Sequence, residues 1–353
     1  MGAFEDNSGK VSAKVFKEDL LNLCGAIRQE VVVGPQFGVD TALVDLGDGN
    51  ALAISSDPLS LIPSLGMEVS AWLSVHLLAN DLSTTGFSPQ FAQFVLNLPT
   101  ELSRGAFNEY WAFIHGLCEE IGIAITGGHT GQIPGQNSSI SGGGTMFLKA
   151  PKNQILTSQG AKAGDVIILT KHAAISSSSL MAMAFPQTVK ESLGVQIQEK
   201  ASSNFWNLSV LPEALIASQT LIPNEELNAM HDVTEGGVLG ALMEMAEASG
   251  LGFYVEKEKI PVPEEVSQVT QLFGIDPLIS IGAGAMLMAV KKGSEAKLLT
   301  TLKKKGIQAT AIGRFTAEKT KLMEDSGKVN PVNFEGKDPY WEAFFKALQT
   351  GMQ

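Results

Sequence analysis

The order of apolar and polar residues in the first half of the chain predicts helices mixed with short strands. Apolar residues recur at helical spacing over Val15–Ile27, Glu68–Thr84 and Arg104–Ile121. Short apolar runs bounded by turn-forming residues predict the strands Ala42–Leu46, Ala51–Ser55, Phe91–Leu96, Ile123–Thr126 and Gly143–Ala150. Helices combined with strands that follow directly on one another are typical of an α+β domain.

A polar stretch, Pro151–Gly160, interrupts this pattern and predicts a boundary between two domains, residues 1–152 and 153–353. After the boundary, helical spacing predicts the helices Ser203–Ala217, Gly237–Ser249, Pro263–Phe273, Ala296–Lys305 and Pro339–Leu348. Apolar runs predict the strands Val166–Thr170, Ala283–Val290 and Gln308–Ile312. The serine run Ser176–Ser179 is expected to be a flexible polar loop, with a loop close to phosphate as the alternative.

The composition is that of a globular protein with a sizeable core. Of the 353 residues, 44% are apolar and 18% are charged, and the formal net charge is −12. This acidity argues against nucleic acid as a partner, and we interpret the short Lys303–Lys305 run as a solvated helix end. Neither a signal peptide nor a membrane-spanning apolar run is predicted, and Cys24 and Cys118 form no CxxC pair. We therefore expect a cytoplasmic protein with no membrane partner.

Two aspartates stand at the edges of predicted strands. Asp40 follows Gly38 and precedes an apolar strand, where its carboxylate could bind Mg²⁺ or simply belong to a turn. Asp57 precedes Pro58, which favours an extended backbone at the residue before it. We expect Asp57 at a strand end, either as a metal ligand or in an ordinary turn.

A second pair of polar residues, Asn80 and Asp81, lies in the otherwise apolar helix Glu68–Thr84. A buried and unpaired carboxylate is unfavourable, and a bound cation would remove that cost. The alternative is that both side chains face solvent.

Two glycine motifs complete the set. Gly127, Gly128, His129 and Thr130 follow a predicted strand, where glycines allow the backbone N–H groups to approach a phosphate closely, although a purely structural turn is the alternative. The segment Asp232–Gly237 leads into a helix, whose N-terminus could bind an anion or could be capped by a side chain of the same segment.

Several other polar residues are given structural interpretations. His76 and His115 lie in helical patterns and are expected to be partly buried, whereas Lys171 is expected to be exposed. No Walker-type GxxxxGK[ST] sequence is present, so a nucleotide site in this protein must be of another design.

Taken in order, these five motifs resemble those of the aminoimidazole ribonucleotide synthetase superfamily, which also contains selenophosphate synthetase, thiamine-monophosphate kinase and the hydrogenase maturation protein HypE. The resemblance extends from about Gly9 to Thr316 and is closest to HypE-like proteins. It implies a two-domain PurM-like α+β fold, in which the N-terminal domains pair across a homodimer to form a β-barrel and the C-terminal domain is α/β.

The resemblance also implies ATP and Mg²⁺ as cofactors, held in a cleft. The motif matches assign Asp40, Asp57, Asp81 and Asp232 as Mg²⁺ ligands. They assign Asn80, Gly127, Gly128, His129 and Thr130 to the nucleotide.

Three departures from the superfamily pattern bear on function. Cys24 lies in a predicted helix rather than in a glycine-rich segment, which argues against selenium chemistry. The chain ends without a cysteine, which argues against the HypE dehydration reaction, and His129 replaces the Asp of most such kinases. We therefore expect an ATP- and Mg²⁺-dependent enzyme that phosphorylates or activates an unknown small-molecule or protein substrate. The alternatives are a non-catalytic nucleotide-binding scaffold or maturation partner, and a kinase of the thiamine-monophosphate type.

Overall fold

The first half of the protein is built on a six-stranded mixed sheet. The computed structural model describes residues 9–334 and 337–353. The sheet has the strand order β1-β2-β3-β6-β4-β5, and only the pair β4–β5 is parallel. Its strands are β1 (Val31–Val33), β2 (Ala42–Asp45), β3 (Asn50–Ser60), β4 (Phe91–Pro99), β5 (Ala124–Ile133) and β6 (Ile140–Pro151).

Two long helices, α2 (Met67–Ser83) and α3 (Arg104–Ile121), cover one face of this sheet. Side chains of β4 alternate between buried and exposed along the strand, as expected for a sheet with one covered face. The other face carries exposed apolar side chains, among them Phe91 and Val95.

The second half is built on a seven-stranded sheet with the order β13-β12-β9-β11-β7-β10-β8. Its strands are β7 (Val166–Thr170), β8 (Leu227–Asp232), β9 (Gly252–Glu256), β10 (Met286–Val290), β11 (Ala309–Thr316), β12 (Lys321–Asp325) and β13 (Lys328–Pro331). Its helices are α4 (Ile175–Ala184), α5 (Pro186–Leu193), α6 (Val195–Ser203), α7 (Leu211–Thr220), α8 (Gly237–Ala248), α9 (Glu264–Phe273), α10 (Glu295–Lys304) and α11 (Pro339–Gln349). Strand β10 lies between β7 and β8 and is antiparallel to both, so β7 and β8 are parallel and joined by a split helical crossover.

Helix α2 belongs to the cores of both halves. Its residues Val75 and Leu78 pack in the core of the first sheet, whereas Val69 and Leu73 pack in the main core of the second half. This double packing places α2 at the seam between the halves.

The predicted helix Val15–Ile27 is wrong beyond its first turns. Helix α1 (Ala13–Val15) continues as one π-helical turn, Phe16–Leu20, and then ends. The apolar side chains of Leu23 and Ile27 are exposed, so no packing stabilises a longer helix there.

The predicted helix Ser203–Ala217 is confirmed only in its second part, because α7 begins at Leu211. Helix α6 ends at Ser203, a 3₁₀ turn Asn204–Asn207 follows, and α7 begins at Leu211 with Pro212 in its first turn. Proline is tolerated in a first turn but not inside a helix, which explains the break.

The predicted loop Ser176–Ser179 is a fully buried part of α4. The hydroxyl of Ser178 donates to Ala174 O within the helix, and that of Ser176 donates to Ile281 O. Serines that find such partners can be buried at low cost.

Three further expectations are overturned. His115 is exposed, and Lys171 is largely buried, where it forms an ion pair of 2.7 Å with Glu213. Strand β3 does not end at Asp57 but continues through Pro58 to Ser60, with an irregular register at the proline, which is where a strand tolerates this residue.

Within residues 9–334 and 337–353, no helix is both long enough and apolar enough to cross a bilayer.

We predict that Gly128→Ala destabilises the protein by about 3 kcal/mol. Gly128 has φ +143°, and an added Cβ would lie 1.8 Å from Phe94 O of the neighbouring strand. Urea unfolding measures the effect. The control is Gly116→Ala in α3, where an added Cβ meets nothing within 4 Å and helix propensity favours alanine. Equal stability of the two variants would contradict the close approach of β4 and β5.

Candidate functional site

The structure brings four of the predicted residues into one electrostatic environment, which we call the carboxylate cluster: Asp40, Asp57, Asp81 and Asp232. Asp40 lies in the turn before β2, Asp57 in β3, Asp81 near the end of α2 and Asp232 at the end of β8. The cluster therefore draws on both halves of the protein.

The carboxylate cluster holds negative charge that its surroundings do not fully compensate. Burial, followed by repulsion from Asp232, Asp57 and Asp40, raises the pKa of Asp81 well above its usual value. Burial also raises the pKa of Asp57 to about 6 and that of Asp232 to about 7. A bound cation would remove this repulsion.

His231 adds a nitrogen beside the cluster. Single ligand atoms of Asp40, His231 and Asp232 lie within 4.8 Å of one another, a separation that suits a shared metal ion. Both ring nitrogens of His231 are already bonded, Nδ1 to Asp40 Oδ2 at 2.8 Å and Nε2 to Glu244 Oε2 at 3.0 Å. Burial lowers the pKa of His231, but the attraction of Asp40 and Glu244 outweighs burial, so the net shift is upward. We therefore interpret His231 as a charged bridge that orients Asp40.

Lys10 is a site residue that the sequence pattern did not reveal. Its Nζ donates to Thr234 Oγ1 at 3.0 Å, and its backbone N–H donates to Glu235 Oε2 at 2.7 Å. Desolvation lowers the pKa of Lys10, although the residue as a whole is exposed. The combined attraction of Glu244 and the cluster aspartates outweighs this effect and raises the pKa. A single lysine in a short polar segment carries no local signal of such a role.

The start of α8 is not the open anion site that its glycines suggested. The N–H of Gly236 donates to Asp338 Oδ2 at 2.8 Å, and the N–H of Leu239 donates to Leu278 O at 3.0 Å. Because these donors are engaged within the protein, the structure favours a capped helix start over an anion site. Asp338, from the segment before α11, satisfies the N–H of Gly236 instead of Asp232 or Thr234.

The glycine motif Gly127–Thr130 lies within β5 rather than in a turn after a strand. Asp57 pairs with Gly144 of β6, Gly144 with Phe94 of β4, and Phe94 with Gly128. Three strand spacings therefore separate Asp57 from Gly128, a distance of ~14 Å. The structure does not place this motif next to the carboxylate cluster within one chain.

A shallow groove of about 390 Å³ lies between the two motifs. Its lining is formed by Ser56, Asp57, Pro58, Val95 and Gly142–Thr145. Gly143 adds no side chain to the groove, whereas an added Cβ on Gly144 would point into the core, toward Leu78. The backbone at Gly143 is therefore open to the close approach of a ligand.

Asn80 hydrogen-bonds the backbone of the second half at the seam between the halves. Its Nδ2 donates to Leu208 O at 2.8 Å, and its Oδ1 accepts from the N–H of Val210 at 2.9 Å. The side chain is fully buried, and both of its polar atoms are engaged. A nucleotide contact from Asn80 stays a prediction.

Two domain families match the chain over most of its length. Residues 38–147 match the N-terminal domain of AIR synthase related protein, and residues 162–324 match its C-terminal domain. The chain belongs to the AIR synthase related protein family. This membership confirms the predicted two-domain α+β PurM-like fold.

Members of this family with different names resemble the chain at moderate identity. A hydrogenase expression/formation protein of Methanocaldococcus jannaschii is 25% identical over 314 residues, which cover 88% of this chain and 89% of that protein. A selenide, water dikinase of Myxococcus xanthus is 27% identical over 267 residues, which cover 74% of this chain and 71% of that protein.

A solved structure, the hydrogenase maturation protein HypE in complex with ATP, has a TM-score of 0.64 and 18% identity, and covers 95% of this chain and 97% of HypE. The similarity shows a shared fold.

Proposed function

We propose that this AIR synthase related protein binds ATP and Mg²⁺ and phosphorylates or activates a substrate by phosphoryl transfer. The observation that carries the proposal is the carboxylate cluster, because four carboxylates that repel one another are an unfavourable arrangement unless cations bind between them. Oxygen ligands of this kind suit Mg²⁺, and the related HypE structure contains ATP.

Asp40, Asp57, Asp81 and Asp232 would hold Mg²⁺, which when bound neutralises the charge of a polyphosphate. Lys10 supplies a cation at the edge of the cluster and would draw the phosphates toward it. The bonds from His231 and Ser158 fix Asp40 in place before ligand binds. Little covalent chemistry is required of the protein, since phosphoryl transfer depends mainly on position and charge.

The groove beside Asp57 and the motif Gly127, Gly128, His129 and Thr130 would hold the nucleotide. The open backbone at Gly143 in the groove and the exposure of β5 support this placement. The domain boundary at residue 152 is retained in the proposal, since the first sheet ends with β6 at Pro151 and the second begins with β7.

We predict that Asp81→Asn weakens Mg·ATP binding at least about tenfold, because a ligand to the metal is lost. The variant should fold well, since an amide in this place removes repulsion from the other three aspartates. Isothermal titration with ATP at saturating Mg²⁺ measures the affinity.

Asp19→Asn is the matched control, because Asp19 is exposed and lies outside the cluster. Equal affinity of Asp81→Asn and the unaltered protein would remove Asp81 from the metal site. An unaltered protein that shows no heat of binding at millimolar Mg·ATP would sink the proposed function altogether.

We predict that catalysis appears as ADP formation that depends on an added phosphoryl acceptor. A coupled ADP assay with a panel of acceptors, thiamine monophosphate among them, measures it. Turnover with that compound alone would identify a kinase of the thiamine-monophosphate type. Mg·ATP binding with no ADP formed, alone or with any acceptor, would favour the non-catalytic scaffold or maturation partner.

We further propose that the protein is a homodimer, in which the open faces of two first sheets pair to form a barrel. The exposed apolar side chains of β4 and its neighbours support this arrangement, since Phe91, Val95 and Ile133 are 36%, 43% and 45% exposed. A dimer would also bring a second copy of Gly127–Thr130 to the sheet face that carries the groove.

We predict that Val95→Glu converts the dimer to monomer, because a charge would be buried in the shared interface. Light scattering after size-exclusion chromatography measures the mass. The matched control is Val329→Glu, since Val329 lies on the edge strand β13 of the second sheet and is 50% exposed. A mass of about 37 kDa for the unaltered protein would contradict the dimer.

A further inference from the structure

Glu244 lies behind the carboxylate cluster, in the second half of helix α8. Its Oε2 is hydrogen-bonded to Nε2 of His231 at 3.0 Å, and Nδ1 of the same ring is hydrogen-bonded to Asp40 Oδ2 at 2.8 Å. These contacts connect a helix of the second half to a carboxylate of the first. Among the described residues, the ligand atoms that lie within 4.8 Å of one another come from Asp40, His231 and Asp232, and not from Glu244.

The turn that carries Asp40 also packs on the backbone of α8 at the same residue. Gly38 has φ +75°, a conformation that favours glycine, and a Cβ added to it would lie 2.5 Å from Glu244 O. The turn approaches the helix this closely because Gly38 has no side chain. Glu244 therefore supports the turn at two points, with its backbone under Gly38 and with its side chain through His231.

Asp40 takes its side-chain hydrogen bonds from the second half of the protein, although it precedes a strand of the first sheet. Besides His231, Ser158 Oγ donates to Asp40 Oδ2 at 2.9 Å, and Ser158 begins the 3₁₀ turn Ser158–Gly160. Both bonds end on Oδ2, so neither occupies Oδ1. A carboxylate that is fixed by one oxygen offers its other oxygen to a cation in a defined direction.

The direction of Asp40 matters because Mg²⁺ tolerates little deviation from octahedral geometry and binds oxygen at about 2 Å. Without the side chain of Glu244, the ring of His231 would lose one of the two contacts that fix its orientation. Its bond to Asp40 would then be held less firmly. Residues that orient the ligands of a metal typically change its affinity by about 10- to 100-fold.

We propose that Glu244 is a positioning residue for the metal site, and that it acts through His231 on the direction of Asp40. The cation itself rests on the proposed function. His231 is then a support for a ligand rather than a ligand, since both of its ring nitrogens are engaged by carboxylates. The affinity of the site for Mg²⁺ depends on a residue that does not contact the ion.

The test measures the affinity of the full-length protein for Mn²⁺, used as a paramagnetic probe of the Mg²⁺ site, with and without ATP. Electron paramagnetic resonance records the free ion. Glu244→Met keeps a long, helix-forming side chain but removes the bond to His231, and we expect the Kd for Mn²⁺ to rise at least about tenfold. Glu244→Gln keeps a group that bonds Nε2, because an amide offers both a donor and an acceptor, and its Kd should stay within about threefold.

The matched control is Glu247→Ala, three residues further along α8. Glu247 is exposed and pairs with Lys17 rather than with His231, so the Kd of this variant should be unchanged. His231→Phe removes the bonds to both Asp40 and Glu244 and should weaken Mn²⁺ binding as Glu244→Met does. Because Glu244 acts through His231, the addition of Glu244→Met to His231→Phe should change the Kd by less than about twofold.

Equal affinity of Glu244→Met and the unaltered protein would overturn the positioning role. A Glu244→Gln variant as weak as Glu244→Met would overturn it too, because the charge and not the hydrogen bond would then be responsible. Losses that add in the double variant would likewise show that Glu244 acts on the ion without His231. Circular dichroism verifies the fold of each variant, and Glu244→Ala takes the place of Glu244→Met if that variant does not fold.

Failure of the proposed function gives a different result. An unaltered protein that binds no Mn²⁺, with or without ATP, would defeat the metal site itself. Equal binding by the unaltered protein and all of the variants would defeat only the role of Glu244 and would leave the metal site in place.

Discussion

Repulsion between buried carboxylates is the physical constraint that the junction of the two halves has to satisfy. Asp40 precedes the first sheet's strand β2, Asp57 lies in β3, Asp81 in α2 and Asp232 in the second sheet. Repulsion from Asp40 and Asp57 contributes to the raised pKa of both Asp81 and Asp232. The chain offsets part of this cost from its own residues, with His231 between two carboxylates and Lys10 at the edge. The remaining negative charge is what makes the place suited to divalent cations.

Helix α2 determines the position of the carboxylate cluster. Its packing in both cores and the two bonds of Asn80 hold Asp81 at the seam between the halves. A shift of α2 by one residue would rotate Asp81 by about 100° and remove it from the cluster. The buried amide of Asn80 thus fixes the position of α2 relative to the second half of the protein, since both of its hydrogen bonds would be lost in any other position.

The sequence indicated the four aspartates as candidate metal ligands because each stands in a recognisable local context. These contexts are a neighbouring glycine, a following proline, an apolar helix and a glycine-rich helix start. Lys10 and His231 have no such context, and their roles arise only from contacts between segments distant in the chain. The serine run of α4 was wrongly predicted as a loop, because its composition is typical of a loop. Its hydroxyl groups are instead hydrogen-bonded inside the fold. The long helices were predicted well, since apolar spacing and packing agree there.

The separation between Asp57 and Gly128 limits how one chain can use both motifs. Across β3, β6, β4 and β5 the distance is ~14 Å, which is long for a single set of phosphates held by both. Either the nucleotide lies along the groove, with its two ends at the two motifs, or the second motif serves the cluster of another subunit. The groove with its open backbone at Gly143 makes the first arrangement possible, and the apolar open face of the same sheet makes the second possible. The two faces of the first sheet therefore differ in chemistry, because the exposed apolar side chains of Phe91 and Val95 lie on the open face and the carboxylate of Asp57 lies on the face that α2 covers.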